Sequence, residues 1–444
     1  MEKQRMQDAS AAYSVEAWSV SAKDVPPGYK RTEVGVIPED WDVVSVGELA
    51  KTFSGGTPST TRPEYYGGDI PWITSSDLNH RTIREPEGRI TRLGLEKSSA
   101  KVVEPGTLVI ALYGATAGVS AITYVRAAIN QAVLAIVTKS SDSRFLLSVL
   151  SFKKDDYVEN LTQGGQPNLS GALVRSIKVP IPPKEEQLAI STSLSDADAL
   201  IESLDGLIAK KGAIKQAAMQ QLLTGKIRLP GFTGEWETKR LGDHVAFLKT
   251  GTNSRAELSS HGSVAYLHYG DIHVGASVRL DPKAVTIPRI ASSKVRHLGQ
   301  LEVGDLVFVD ASEDLEGVGK SVEIADLPPS GIVAGLHTIA ARFDKAVLAD
   351  GFKAYLQFCP GFIGTLRRLA AGTKVLATNR RHIASVEMAL PDVSEQRAIA
   401  DTLADMDTEI EALEHRRDKA RQIKQGMMQQ LLTGRVRLVA SEAP

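Results

Sequence analysis

The chain has 444 residues, of which 42% are hydrophobic and 24% charged, so it has room for two to four globular domains. A single cysteine, Cys359, excludes a disulfide framework and a thiolate zinc site, and it favours a cytoplasmic protein. No apolar run approaches the roughly 20 residues of a membrane helix, and the N-terminal sequence lacks the features of a signal peptide. The net charge of −1 argues mildly against binding nucleic acid through bulk charge.

In chain order, residues 1–30 match no other part of the sequence, and we predict a segment that is partly mobile. Residues 31–181 and 230–390 share a faint pattern of apolar runs bounded by Gly, Pro and Asp, which predicts short strands joined by turns. We interpret each as a mixed α/β (α+β) domain with a small sheet. The shared positions are Trp41 and Trp236, Gly47 and Gly242, Gly56 and Gly251, and Asp77 and Asp271.

Segments 182–229 and 391–438 are two copies of one sequence, and a tail of residues 439–444 follows. They align without a gap at an offset of 209 residues, and 24 of 48 positions are identical, which indicates an internal duplication. Apolar residues in both copies follow the 4-3-4 spacing of a coiled-coil seam. The seam positions are Ile190, Leu194, Ala197, Ile201, Leu204 and Ile208 in the first copy, and Ile399, Leu403, Met406, Ile410 and Leu413 in the second.

Each copy predicts a helix of about 40 residues, or roughly 60 Å. A helix with one apolar stripe is stabilised by packing against a partner rather than by its own propensity. The other copy is the nearest partner, so we predict an antiparallel pair that separates two domains in a pseudo-two-fold repeat. In the alternative arrangement, each helix packs on its own domain.

Basic residues recur before each helix. Residues 351–386 and 160–184 contain no acidic side chain. A solvated basic surface is the common explanation for one such stretch, but recurrence at equivalent places favours contact with phosphate groups. The basic candidates are Arg175 and Lys178 in the first half, and Arg367, Arg368, Lys374, Arg380 and Arg381 in the second.

We find no catalytic motif. Residues 317–321 resemble the end of a phosphate-binding loop, but Asp314 stands where that loop needs a glycine. The histidines lack metal-ligand spacing, and no methyltransferase signature occurs. The acidic run 310–316 could bind a cation, although a solvated acidic loop is commoner. We therefore expect no catalytic residue and no metal in this chain.

Several motifs together resemble the specificity subunits of type I restriction–modification enzymes. They are the opening Tyr-Lys-Arg-Thr-Glu-Val-Gly-Val-Ile-Pro-x-x-Trp of residues 29–41, Gly-Gly-Gln-Pro-Asn-Leu-Ser at 164–170, and the paired motifs Pro-x4-Gln-x2-Ile-x3-Leu and Gln-Leu-Leu-Thr-Gly of the two helical segments. Residues 372–379 depart from the Gln-Pro-Asn form of the first half.

The resemblance implies a non-catalytic subunit with two target-recognition domains, each of which reads half of a split sequence in double-stranded DNA. It also implies that the helices space the domains and dock two methyltransferase subunits, through which the restriction subunits join. S-adenosylmethionine, ATP and Mg would then belong to those partners. The docking candidates are Gln187, Ile190, Leu194, Gln220, Gln221, Gln396, Ile399, Leu403, Gln429 and Gln430.

Under this reading, polar residues after predicted strands are candidates for base contacts, while the basic residues would contact phosphates. Turn capping or a structural hydrogen bond would account equally well for any one of them. The candidates are Ser75, Ser76, Asp77, Asn79, Asn130, Gln131, Gln166 and Asn168 in the first domain, and His268, Tyr269, Asp271, His337 and Asn379 in the second.

Two other functions stay open on the sequence alone. A scaffold whose domains bind peptides or carbohydrate would explain the long helices but not the recurring basic stretches. A stand-alone nuclease or methyltransferase would need motifs that we do not find. The sequence does not give the DNA target, the spacer length or the methylated base.

Overall fold

The computed structural model describes residues 25–161, 168–275, 277–282, 285–370 and 375–438. They form two compact units. Unit 1 comprises the described residues up to Asp205 and those from His415 onward, and unit 2 is Gly206–Glu414. None of the helices in the described ranges is long and apolar enough to cross a membrane.

Unit 1 contains the first globular domain. Its strands are β1 (Tyr29–Thr32), β2 (Gly35–Pro38), β3 (Asp42–Ser45), β4 (Ala50–Ser54), β5 (Tyr66–Ile73), β6 (Thr82–Ile83), β7 (Gly88–Ile90), β8 (Lys101–Val103), β9 (Leu108–Ala111), β10 (Ser120–Thr123), β11 (Ala127–Ile129), β12 (Val133–Thr138) and β13 (Lys178–Ile181). Its helices are α1 (Val46–Leu49), α2 (Arg92–Glu96), α3 (Ser143–Phe152), α4 (Lys154–Leu161), α5 (Gly171–Ser176) and the start of α6 (Lys184–Leu222).

Unit 2 contains the second globular domain. Its strands are β14 (Glu237–Arg240), β15 (Val245–Phe247), β16 (Val264–Leu267), β17 (Arg279–Leu280), β18 (Arg289–Ile290), β19 (Leu306–Val309), β20 (Ala311–Ser312), β21 (Ser321–Ile324), β22 (Ile332–Ala334), β23 (Thr338–Phe343), β24 (Leu376–Ala377) and β25 (Glu387–Leu390). Its helices are α7 (Tyr269–Val274), α8 (Ser292–Val295), α9 (Pro360–Leu369), α10 (Arg380–Ala384) and the start of α11 (Val393–Leu431).

The two units repeat one topology. In unit 1 a five-stranded sheet has the order β4-β12-β9-β10-β6, and in unit 2 the order is β15-β23-β19-β21-β17. A second sheet, β7-β5-β11-β8 in unit 1 and β18-β16-β22 in unit 2, contains one parallel pair in each case. The duplicated α/β scaffold that the faint sequence pattern predicts is therefore confirmed.

Strand β9 shows how the alternation of side chains builds two cores in unit 1. Leu108 and Ile110 pack in a cluster with Trp41, whereas Val109 and Ala111 face a second cluster with Ile73. Successive side chains of a strand point to opposite faces, so a fully apolar strand must be covered on both sides.

Helices α6 and α11 each have 39 residues, or about 58 Å at 1.5 Å per residue. They pair antiparallel within each unit. In unit 1, Asp198 pairs with Lys424, and Asp205 pairs with Arg421 at 3.0 Å. In unit 2, Lys211 pairs with Glu409 at 2.7 Å. Rising numbers on one helix meet falling numbers on the other, which confirms the predicted antiparallel pair.

Each helix also packs on its own domain. Ile190 and Leu194 of α6 are buried in the core of unit 1, and Ile399 and Leu403 of α11 are buried in the core of unit 2. The two arrangements that the sequence left open therefore occur together, because the start of each helix packs on its domain while the helix also pairs with the other copy.

The segment after each long helix forms an ion pair with the start of the other long helix. In unit 1, Arg437 bonds to Glu186 (2.6 Å) and to Asp40 (2.6 Å). In unit 2, Arg228 pairs with Glu395. The two pairs occupy equivalent positions, since both members of one pair differ by 209 from those of the other. The duplication therefore extends from sequence to individual ion pairs.

Candidate nucleic-acid interface

Polar residues gather at one edge of the parallel strand pair in each unit. In unit 1, Asn130 N donates to Ile73 O at 3.0 Å, which brings the loop after β11 to the end of β5. A 3₁₀ turn, Ser75–Asn79, begins at that end. In unit 2, Tyr269 N donates to Leu336 O at 3.3 Å, so α7 lies beside the loop that contains His337. Parallel strands end at a common edge, so the structure brings the candidates after these strands together.

Two of the candidate carboxylates are bound to backbone amides. Asp77 accepts from Thr74 N at 2.7 Å and from Glu87 N at 3.1 Å. Asp271 accepts from His268 N at 3.0 Å, and its other oxygen bonds to an arginine guanidinium. Each carboxylate oxygen thus has a partner within the domain. These bonds position the loop, and the base contacts of the two residues stay a prediction.

Three further candidates are also caps. Asn130 Oδ1 accepts from Ala132 N at 3.0 Å. Asn379 Oδ1 accepts from the backbone at the start of α10, and the buried His268 Nδ1 accepts from Gly270 N at 3.3 Å. Burial, followed by the nearby Arg255 charge, lowers the pKa of His268, which fits a neutral ring that accepts this bond. These three side chains shape the edge, and their contacts with bases stay a prediction.

The remaining candidates of unit 1 stay at the surface. Ser76, Asn79, Gln131 and Asn168 are exposed, and Ser75 is half-buried. Tyr113 is also exposed at this edge, and it forms an isolated β-bridge with Asn168. Sequence reasoning missed Tyr113, although an aromatic residue two positions after an apolar strand and directly before a glycine was a usable signal.

Unit 2 has a cleft of about 500 Å³ at the same edge, which we call the histidine cleft. The ring of Tyr269 lies with its centroid 4.5 Å from that of His268 and 5.5 Å from that of His337. The lining residues are Tyr269, His273, Ala311, Ser312, Glu313, Asp314, His337 and Val375. Of these, the sequence predicted only Tyr269 and His337. His273 could have been found, because it follows Tyr269 by four residues on one helix face.

His337 has an unusual backbone conformation. Its φ is +56°, and no other non-glycine residue in the described ranges has a positive φ. Holding such a residue in this region costs about 1–3 kcal/mol, a strain that is concentrated at functional sites. The ring Nδ1 lies 3.2 Å from Asp310 Oδ1, so a carboxylate fixes its orientation.

The predicted basic residues divide into two groups. Arg175 bonds to Thr52 Oγ1 at 3.3 Å, Lys178 lies 3.8 Å from Glu48, and Arg380 donates to Leu248 O at 2.8 Å. These contacts give the three residues structural roles. The exposed members are Arg367 and Arg368 at the end of α9, and Arg381 of α10. Arg367 also lines a second cleft, of about 540 Å³, together with Lys320.

Several predicted docking residues are buried within their own units. Gln187 accepts from Asp142 N at 3.1 Å and donates to Pro182 O at 2.9 Å. Gln396 makes the equivalent bonds to Ala349 N (2.9 Å) and Pro391 O (2.9 Å). The residues that hold each helix on its domain are Gln187, Gln396, Ile190, Leu194, Ile399 and Leu403. A role of these six in docking stays a prediction.

The other docking candidates remain accessible. Gln220 and Gln221 are exposed, and Gln429 and Gln430 are half-buried. Gln166 and Lys374, together with residues 1–24 and 439–444, lie outside the described residues. Within the described part of the chain, no group of three His, Cys, Asp or Glu side chains is placed to hold a metal ion.

Comparison with known proteins finds similar specificity subunits. Residues 38–210 match the family described as type I restriction modification DNA specificity domain. The chain is 30% identical to the type I restriction enzyme MjaIX specificity subunit of Methanocaldococcus jannaschii over 247 residues, which cover 51% of this chain and just over half, 56%, of that relative. It is 24% identical to the MjaVIII specificity subunit of the same organism over 416 residues, which cover 90% and 94% of the two chains.

A solved structure shows the same fold. The S subunit of a type I restriction–modification system from M. genitalium superposes with a TM-score of 0.58 at 14% identity, covering 88% of this chain and 96% of that one. The predicted fold is thereby confirmed, and the similarity to specificity subunits extends over residues 38–210 by the family match.

Proposed function

Because residues 38–210 carry the DNA specificity domain of type I restriction–modification systems, we propose that this chain is the DNA sequence-recognition subunit of such a complex. Each unit would read one half-site of a split target in double-stranded DNA. The observation that carries the proposal is the repetition of one topology with different side chains at the same edge. Thr74–Asp77 and His268–Asp271 form the same capping box, so Ser75 and Asn79 of unit 1 stand where Tyr269 and His273 stand in unit 2.

Different side chains on one scaffold imply two different half-sites. Side chains with fixed donor and acceptor geometry discriminate base edges in the major groove, whereas basic side chains bind phosphates and set the register. The exposed Arg367, Arg368 and Arg381, together with Lys374, would supply phosphate contacts in unit 2. The target would then need no palindromic symmetry.

The long helices would serve the assembly of the complex. Two methyltransferase subunits would dock on equivalent surfaces of α6 and α11, with Gln220, Gln221, Gln429 and Gln430 as the accessible candidates. The duplication of the helices supports this idea, since two copies of one partner require two similar surfaces. The restriction subunits would join through the methyltransferases.

The chain itself would catalyse no reaction. In this scheme the methyltransferase subunits bind S-adenosylmethionine, and the restriction subunits use ATP and Mg. The complex would act on DNA in the cytoplasm. The absence of a catalytic motif from the sequence supports this division of labour.

The experiment is to map methylated motifs in host DNA by single-molecule sequencing, with the gene present and deleted. We expect one split motif to disappear on deletion and to return when the gene is restored. If every split motif persists after deletion, this chain should be reconstituted in vitro with the methyltransferase that the neighbouring gene encodes. Failure of that complex to methylate any defined sequence would contradict the proposal and favour a scaffold.

A further inference from the structure

We propose that the histidine cleft of unit 2 reads an exocyclic amino group in the major groove, with the Glu313 carboxylate as the acceptor. The amino group would belong to adenine (N6) or cytosine (N4). This inference rests on the proposed function, and it adds the chemistry of one base contact and an additional residue, Glu313, that determines specificity.

The contact between His337 and Asp310 decides what the imidazole offers to a ligand. A carboxylate can only accept a hydrogen bond, so the proton of this 3.2 Å contact lies on His337 Nδ1. In the neutral ring the other nitrogen, Nε2, is then an acceptor. The side chain of His337 lines the cleft, and its strained backbone holds the ring in place.

Glu313 supplies the acceptor for the base. Its side chain is exposed in the cleft, and it makes no hydrogen bond or ion pair within the described residues. The neighbouring Asp314 is different, since its Oδ1 accepts from Gly317 N at 2.7 Å and closes the loop. Within the described residues, the lining of the cleft therefore includes one carboxylate without a partner and one imidazole that Asp310 orients.

The negative charge of Glu313 limits which atoms of DNA this side chain can contact. A carboxylate near DNA repels the phosphates, so it is compatible with binding only where it faces a donor. In the major groove the base donors are the amino groups of adenine and cytosine, whereas guanine and thymine offer acceptors there. Tyr269 and Ser312, whose hydroxyl groups can donate or accept, complete the lining.

The test uses the full chain in complex with its methyltransferase and DNA containing the mapped motif. In the half-site of unit 2, each adenine is replaced in turn by purine and each cytosine by pyrimidin-2-one, which removes only the amino group. A lost base contact of about 1–3 kcal/mol lowers affinity roughly 5- to 150-fold. We expect such a loss at one position, and its identity distinguishes adenine from cytosine.

The matched variants are Glu313→Ala and Glu316→Ala, which remove one negative charge each from the same exposed loop. Loss of repulsion should raise the affinity of both variants for unrelated DNA. For the target, we expect Glu313→Ala to bind 5- to 150-fold more weakly than Glu316→Ala, roughly the size of one base contact, and to be insensitive to removal of the critical amino group.

Equal target affinity of the two variants, or full binding of every amino-free duplex, would overturn the inference while leaving the proposed function intact. A complex that binds no defined sequence would instead contradict the proposed function, and this inference with it.

Discussion

Arg380 and Arg381 are neighbours in the sequence, yet their side chains have different surroundings. Arg380 donates to Leu248 O and lies over the ring of Phe247, with the guanidinium carbon 5.9 Å from the centroid. Arg381 is exposed, and its side chain makes no hydrogen bond or ion pair within the described residues. Of the two, only Arg381 has its full charge available to a phosphate.

The two arginines give a matched pair of variants. We expect Arg381→Ala to leave the melting temperature unchanged, to weaken binding to all DNA sequences, and to reduce the slope of log K against log salt by about one unit. Arg380→Ala should lower the melting temperature, because it removes a packed side chain and its bond to the backbone. Salt titrations of DNA binding, with thermal unfolding as control, measure both effects. An unchanged salt slope for Arg381→Ala would remove this residue from the phosphate contacts.

At this scale the sequence pattern does not separate the cap of a turn from the partner of a base. Asp, Asn and Ser are favoured both as caps of turns and as partners of bases, because the same short polar side chain serves both purposes. Asp77 and Asn130 therefore satisfied the sequence pattern for a contact residue, but the structure shows both as caps. Glu313 was noted only within an acidic run, since its place in a cleft depends on long-range folding.

Among the secondary-structure elements, the pairing of α6 with α11 depends on charged residues as well as on the apolar seam. Asp198 lies between Lys424 and Arg81, whose Nε is 3.3 Å away. Burial lowers the pKa of Lys424, the nearby Arg81 charge lowers it further, and the bond to Asp198 opposes both. The equivalent pair of unit 2 is Asp407 with Lys215.

Replacement of Asp198 by Asn should therefore leave two cations without their carboxylate. We expect unit 1 to lose about 1–3 kcal/mol of unfolding free energy, the usual cost of an unsatisfied buried polar group. Adding Lys424→Met to Asp198→Asn should recover part of this loss, because the half-buried ammonium group is removed. Chemical denaturation of the full chain measures both.

The control is Glu96→Gln, which breaks an exposed i,i+4 pair with Arg92 and should cost no more than about 0.5 kcal/mol. Equal stability of Asp198→Asn and Glu96→Gln would show that the Asp198 pair contributes no more than a surface salt bridge.

The long helices could be predicted from the sequence, whereas the short elements could not. A heptad pattern repeated over 48 aligned positions defines a helix from local information alone. Strands of two residues, such as β17 and β24, carry no periodic signal, and their pairing partners are distant in the chain. The order of the strands in each sheet likewise depends on contacts that no local window contains.

At the scale of the whole molecule, the important quantity is the length of helices α6 and α11. Both α6 and α11 cross the division between the units, near residues 205 and 414 respectively. If the helices space the two half-sites, equal insertions in both should lengthen the spacer and leave the half-sites unchanged.

We expect insertion of seven residues into each helix at that division to lengthen the spacer by about three base pairs, since seven residues add about 10.5 Å and one turn of DNA of about 34–36 Å holds 10–10.5 base pairs. A heptad keeps the apolar seam in phase. Mapping the methylated motifs in the strain that carries both insertions measures the spacer length. Altered half-sites with an unchanged spacer would contradict the spacing role. A single insertion in α6 alone is the control, and it should disrupt pairing with α11.

The equivalence of the ion pairs at an offset of 209 residues also has a genetic consequence. The two copies share the uninterrupted sequence Met-Gln-Gln-Leu-Leu-Thr-Gly, so the gene carries two similar tracts in the same orientation. A crossover between them would delete 209 codons in frame and leave one domain followed by one hybrid helix. Glu186 and Arg437, which now pair between the start of α6 and the segment after α11, would then lie at opposite ends of one helical segment, and each would find its partner only on a second molecule. Because of the duplication, one recombination event can produce a gene that encodes half of the polypeptide.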